Sequence, residues 1–145
     1  MTDIPKSLSE VTSVWLEKQF RDAGHEIPEL LSFTHKPMDG FTGAIGEVGI
    51  FTIEWSDSTK TDLPDSFVAK CPLDDDIARM YNEVMQYYIR ESGFYADLAS
   101  EIDMRIPSCW VNRFDHETGR AFLLLEYIGH AEKGDILHGC SEDVM

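Results

Sequence analysis

Basic residues are scarce in this chain: 12 Lys and Arg stand against 27 Asp and Glu, a formal charge of -15 over 145 residues. That balance repels nucleic-acid backbones and anionic lipid unless cations cluster, and no Lys/Arg cluster interrupts the sequence. Neither nucleic-acid binding nor a membrane-surface role is expected. A nucleotide is not excluded, because one lysine, a magnesium ion and backbone amides can hold phosphates inside an acidic protein. Cysteine is scarce as well. Cys71, Cys109 and Cys140 make an odd count without a Cys-x-x-Cys pair, which offers neither a disulfide framework nor a zinc knuckle and fits a reducing cytoplasm. Long hydrophobic runs are missing, with nothing approaching the ~18 apolar residues of a membrane span. The N-terminal stretch scatters Asp3, Glu10 and Glu17 among apolar positions, unlike a signal peptide.

The hydrophobic content of 43% suffices for one domain with one core, burying roughly two-thirds of the surface of the unfolded chain. Ser7-x-x-Glu10 reads as a capping box, and Leu8, Val11, Val14, Trp15 and Leu16 follow at helical spacing until Gly24, which predicts an amphipathic helix over residues 7–23. After Pro28, Leu31 to Met38 reads as a strand, with Pro37 marking an edge or a strand end. Gly40, Gly43, Gly46 and Gly49 then recur at every third position; glycine at that density either brings backbone N–H groups close to a ligand or makes a flexible hairpin turn. Val48 to Trp55 alternates, with Ile50, Thr52 and Glu54 opposite Phe51, Ile53 and Trp55, and predicts a second strand. A polar turn leads to a third, Ser66 to Cys71, completing an antiparallel meander.

Pro72 ends that strand, and Asp74-Asp75-Asp76 reads as the capped first turn of a helix rather than as a metal site. The helix is predicted to run to about Ser100, with Gly93 as its weak point. Cys109 to Phe114 and Ala121 to Leu125 form a hairpin across Asp115–Gly119, and the unbroken apolar run of the second strand marks it as central. From Glu126 on, periodicity is lost. His130 and His138 lack metal-ligand spacing and read as surface residues; no metal site is expected.

Two charged residues stand where apolar ones are expected. Lys70 ends the strand run Phe67-Val68-Ala69-Lys70 on a side that alternation predicts to face inward, where an ammonium needs an acidic partner or an anionic ligand. Ile77, Val84 and Leu98 fall on one heptad line of the long helix, and the remaining position on that line is Glu91. A helix packed across the sheet with Glu91 facing Lys70 would satisfy both, at a cost of about 3–5 kcal/mol for removing either member of a buried pair. Glu83 is a rival partner, and Glu91 reaching water at the edge of the stripe is the ordinary alternative.

The glycine-rich turn, the strand lysine, the helix glutamate and the two-stranded exit come in the order of the nucleotide-binding lobe of kinases. Phe67-Val68-Ala69-Lys70-Cys71-Pro72, Tyr88-Ile89-Arg90-Glu91-Ser92-Gly93-Phe94-Tyr95, Ile106-Pro107 and Leu123-Leu124-Leu125-Glu126 resemble the N-terminal lobe of the aminoglycoside phosphotransferase / choline kinase-like superfamily, within it the ecdysteroid-kinase-like group. The resemblance implies an α+β kinase-like N-lobe over residues 1–128, with a five-stranded mainly antiparallel sheet, a long packing helix and an N-terminal helix. Residues 129–145 would be a connector toward a C-terminal lobe that is missing here. Lys70 would hold the α- and β-phosphates of ATP, oriented by Glu91. Gly43 and Gly46 would lie over the phosphates, and Glu126, Tyr127 and Ile128 would form the hinge that meets adenine. The acceptor would be a hydroxyl of a small molecule, with Mg²⁺ bridging the phosphates in the complete enzyme. The loop departs from Gly-x-Gly-x-x-Gly, and neither a catalytic-loop aspartate nor a metal-binding aspartate motif occurs: Asp135, His138 and Asp143 reproduce neither. No catalytic residue is therefore expected in this chain, and no phosphotransfer by it alone. An isolated lobe would expose Leu123–Leu125 and the connector, a surface open to self-association. The contrasting expectations are a standalone, non-catalytic α+β interaction module and an unrelated α+β domain in which Lys70 is a solvated strand end.

Overall fold

Alternating and continuous apolar runs fold as the strand spacing dictates, and helices cover both faces of the sheet they make. The computed structural model describes residues 2–38 and 45–129, an α+β unit of five antiparallel strands in the order β1-β2-β3-β5-β4. The strands are β1 (Leu30–Pro37), β2 (Gly46–Trp55), β3 (Ser66–Pro72), β4 (Cys109–Phe114) and β5 (Ala121–Glu126). β1 is an edge, ending at Pro37 opposite Gly49. β5 lies between β3 and β4, and Ala121 to Leu125 are all buried on it. The expected exposure of Leu123–Leu125 is thereby corrected: Leu123 and Leu124 are 0% exposed, because neighbouring strands and a helix cover them.

Helix α1 (Ser13–Asp22) covers one face. Its Leu16 and Phe20 meet Phe51, Phe67 and Phe122 in the larger of two apolar clusters, with the Trp15 ring edge-on to Phe122 at 4.9 Å. The expected helix over residues 7–23 is two pieces. Thr12, in extended backbone, accepts a hydrogen bond from the Trp15 N–H at 3.2 Å and is the true cap, while the Ser7 hydroxyl pairs with that of Ser9. Leu8–Glu10 forms a separate 3-10 turn that turns Leu8 and Val11 into the core. Gly24, with φ of 87°, ends α1 as expected: the His25 N–H reaches the Phe20 carbonyl and the Gly24 N–H that of Arg21, both at 3.0 Å.

The opposite face carries the smaller cluster, in which Tyr88 and Tyr95 cover Val68, Leu123 and Leu125. Here the single long helix of the sequence reading is corrected to α2 (Asp76–Met85) and α3 (Tyr87–Gly93), then a π-turn at Phe94–Leu98 and a 3-10 turn at Ala99–Glu101. The break falls at Gln86, left-handed with φ of 56°, and not at Gly93, which is regular helix. A left-handed residue resets helical phase, so positions seven apart across it share no face. Ile77 and Val84, which share an outward face of α2, and Leu98 lie 67%, 73% and 55% exposed, while Tyr88 and Ser92 of α3 are buried. Asp75 caps α2 by accepting from the Ala78 N–H at 2.9 Å, and Asp74 and Asp76 both pair with Arg79. No described helix is long and apolar enough to cross a membrane.

Candidate functional site

The antiparallel registers place Lys70 of β3 opposite Leu123 of β5, and Leu123 opposite Asn112 of β4. Directly opposed residues share a face, so Lys70, Leu123 and Asn112 form a row beneath α3. Val48 and Val68 belong to that face too, since Val48 is opposite Lys70 and Val68 precedes it by two. Phe67, Ala69 and Cys71 point the other way, into the larger cluster.

Glu91 meets Lys70 from above. Both carboxylate oxygens accept from the ammonium, Oε1 at 2.5 Å and Oε2 at 2.7 Å, with side chains 26% and 30% exposed. Glu83, the rival partner, is exposed on α2 and lines a different part of the surface. The pair is half-buried rather than buried, so losing one member should cost less than the ~3–5 kcal/mol of a buried pair and more than the ~0–1 kcal/mol of an exposed one.

Three other bonds fix α3. The Tyr88 hydroxyl donates to the Cys71 carbonyl at 2.9 Å, and burial pushes that hydroxyl's pKa up. The Ser92 hydroxyl donates to Asn112 Oδ1 at 2.7 Å, and Asn112 Nδ2 donates to the Ser92 carbonyl at 2.8 Å. Cys109 lies close by. Burial, then the nearby Glu91 carboxylate, push its thiol up to about 12, so it is no nucleophile at neutral pH.

Gly46 opens β2 opposite Pro72, and its missing side chain makes room for Tyr88: a Cβ there would lie 1.9 Å from the Tyr88 hydroxyl oxygen and 2.9 Å from the Cys71 carbonyl oxygen. Gly43 lies outside the described residues, as do the connector from His130 on, His138 and Cys140. Glu126 ends β5. Its N–H donates to the Ser108 carbonyl at 2.8 Å, and its carboxylate accepts from Arg105 at 2.5 Å and from the Ser108 N–H at 3.0 Å. Those contacts, Arg105 foremost, hold its carboxyl below the usual range. Tyr127 and Ile128 follow beyond the ladder, Tyr127 exposed and Ile128 half-buried.

Sequence reasoning missed Asn112, Ser92 and the apolar face of Val48, Ile50 and Val68, all half-buried apart from the buried Ser92. The alternation of β2 and β3 carried the signal for the valines; the Ser92–Asn112 link had none. A separate cleft of about 580 Å³ opens between α2 and the β4–β5 turn and contains neither Lys70 nor Glu91. Of the cations lining it, Lys6 and Arg79 pair with Asp74, and Arg120 donates to the Ile4 carbonyl at 3.4 Å. Among the described residues no group of three His, Cys, Asp or Glu is placed to hold a metal ion. No family model, no curated protein and no solved structure matches this chain.

Proposed function

We propose that this chain is a kinase-like N-lobe that binds ATP for a phosphotransferase acting on a small-molecule hydroxyl. The observation that carries the reading is the half-buried Lys70–Glu91 pair on a five-stranded antiparallel sheet, with both carboxylate oxygens fixing an ammonium whose side chain stays 26% exposed. Lys70 would take the α- and β-phosphates, and Glu91 would hold its aim. The half-buried Val48, Ile50 and Val68 offer an apolar bed for adenine next to it, leading toward Tyr127 and Ile128. The Glu126 N–H is committed to Ser108, so any hinge contact by a backbone donor falls to the two residues after it. Gly46 is filled by Tyr88 and contributes packing rather than a phosphate contact. Bound Mg·ATP would supply the phosphoryl group; the protein's own part is to bind and orient the nucleotide, because the sequence contains neither the catalytic nor the metal-binding aspartate motif.

Calorimetric titration with Mg·ATP tests this. Binding by the wild type that weakens at least tenfold in Lys70→Ala, about 1.4 kcal/mol, is the expected result. Absence of binding at millimolar nucleotide, or equal binding by Lys70→Ala, would overturn it. The second reading, a non-catalytic interaction module, is favoured by one observation, the outward stripe of Ile77, Met80, Tyr81 and Val84 on α2. It predicts no nucleotide binding at all.

A further inference from the structure

We propose that Asn112, acting through Ser92, is the positioning residue that aims Glu91 at Lys70. Strands stand about 4.8 Å apart, so the row Lys70, Leu123, Asn112 spans roughly 10 Å of sheet across two strand spacings, with the fully buried Leu123 at its centre. Consecutive helix residues diverge by about 100°. Glu91 and Ser92 therefore diverge to the two flanks of the inward face of α3 and reach the two ends of the row, Lys70 on β3 and Asn112 on β4. The helix straddles Leu123, tied down on each side.

The Ser92–Asn112 link is reciprocal. A backbone carbonyl only accepts, so the contact with the Ser92 carbonyl must come from the Asn112 amide nitrogen, which leaves the amide oxygen to take the Ser92 hydroxyl proton. Both ends of the amide are used, which fixes the depth and the rotation of α3 together. Such a tie is needed because α3 spans only seven residues and the left-handed Gln86 uncouples it from α2. Tyr88 pins its first turn to Cys71, and Asn112 is the pin beside Glu91. Without it α3 can roll about the Tyr88 anchor and carry Glu91 away from the ammonium.

The aim of Glu91 can be read without nucleotide; only the consequence for affinity rests on the ATP reading. Acylation of Lys70 by an amine-reactive ester, mapped by mass spectrometry on the folded chain, reports whether the ammonium is held. Glu91→Gln should raise the rate several-fold, and Asn112→Ala should raise it comparably, with no further gain in the double variant. Ser92→Ala should act in the same direction and Ser92→Thr, which keeps the hydroxyl, should restore wild-type protection. If Asn112→Ala does not fold, the two Ser92 variants carry the test. Wild-type protection of Lys70 in folded Asn112→Ala or Ser92→Ala, while Glu91→Gln is labelled faster, would overturn the proposal. Where the wild type binds Mg·ATP, Asn112→Ala should weaken it in proportion to the loss of protection. Where it does not, the ATP reading fails and the acylation result still decides the role of Asn112.

Discussion

Replacing Gly46 by alanine separates a packing glycine from one that merely lies near a ligand. The added methyl would sit 1.9 Å from the Tyr88 hydroxyl oxygen, 2.9 Å from the Cys71 carbonyl oxygen and 3.0 Å from the ring carbon that bears the hydroxyl. Tyr88 can relieve the first contact only by swinging out of the smaller cluster, which breaks its 2.9 Å bond to Cys71. Overpacking of this kind costs about 1–3 kcal/mol and the lost hydrogen bond about 1 kcal/mol more. Alanine returns about 0.5–1 kcal/mol through the reduced backbone freedom of the unfolded chain. The balance is a loss of about 1–3 kcal/mol, read from urea unfolding as a lower midpoint with an unchanged slope. Tyr88→Phe removes the oxygen and with it the closest contact, so the double variant should be less destabilised than the sum of the singles by about 1 kcal/mol or more. Wild-type stability of Gly46→Ala, or strict additivity with Tyr88→Phe, would refute the packing role.

Two further expectations follow from exposure and from charge. Val84, 73% exposed on α2, should tolerate Val84→Glu within about 0.5 kcal/mol in urea unfolding, and a larger loss would mean the stripe is covered in the folded chain. Glu126 has its pKa lowered in the folded state by Arg105 and the Ser108 N–H, so its contribution is fully present above the unfolded carboxyl value of about 4.3 and is lost as pH falls through the folded value. Because the carboxylate is near the surface, Glu126→Gln should cost only about 0.5 kcal/mol at pH 7, and the two proteins should converge in acid unfolding midpoints; a gap that widens below pH 4 would contradict the assignment.

The sheet was legible because its signals are local. The unbroken Ala121–Leu125 run, the alternation around Phe51 and Ile53, and Gly119 with φ of 69° each fix one strand or turn from its own residues. The helical half was less so. Gln86 is the left-handed residue that ends α2 and opens α3, and glutamine carries no preference for that backbone. The Gln86 N–H still closes the last turn of α2 on the Asn82 carbonyl at 2.8 Å, and the tertiary contact that holds the reversal is that of Tyr88, two residues on, anchored to β3. The capping box at Ser7 failed for a related reason, since turning Leu8 and Val11 into the core broke the helix before Thr12.

Glu91 was reached by a line of reasoning the fold does not support. The heptad through Ile77, Val84 and Leu98 points to solvent, whereas the inward face is Tyr88, Glu91 and Ser92 of α3, spaced i, i+3, i+4, continued by Tyr95 of the π-turn. Half of that face is polar, so a search for apolar periodicity passes over it. A carboxylate and a hydroxyl side by side against a sheet are tolerable only because β3 brings an ammonium and β4 an amide to the same row, from positions 21 and 20 residues away in sequence. Neither strand reveals this alone: Lys70 looks like a misplaced charge and Asn112 like an ordinary polar residue of an outer strand. The two liabilities of α3 become two anchors once the registers of β3, β5 and β4 are set. The aim of the Lys70–Glu91 pair is therefore a property of three strands and one short helix acting together.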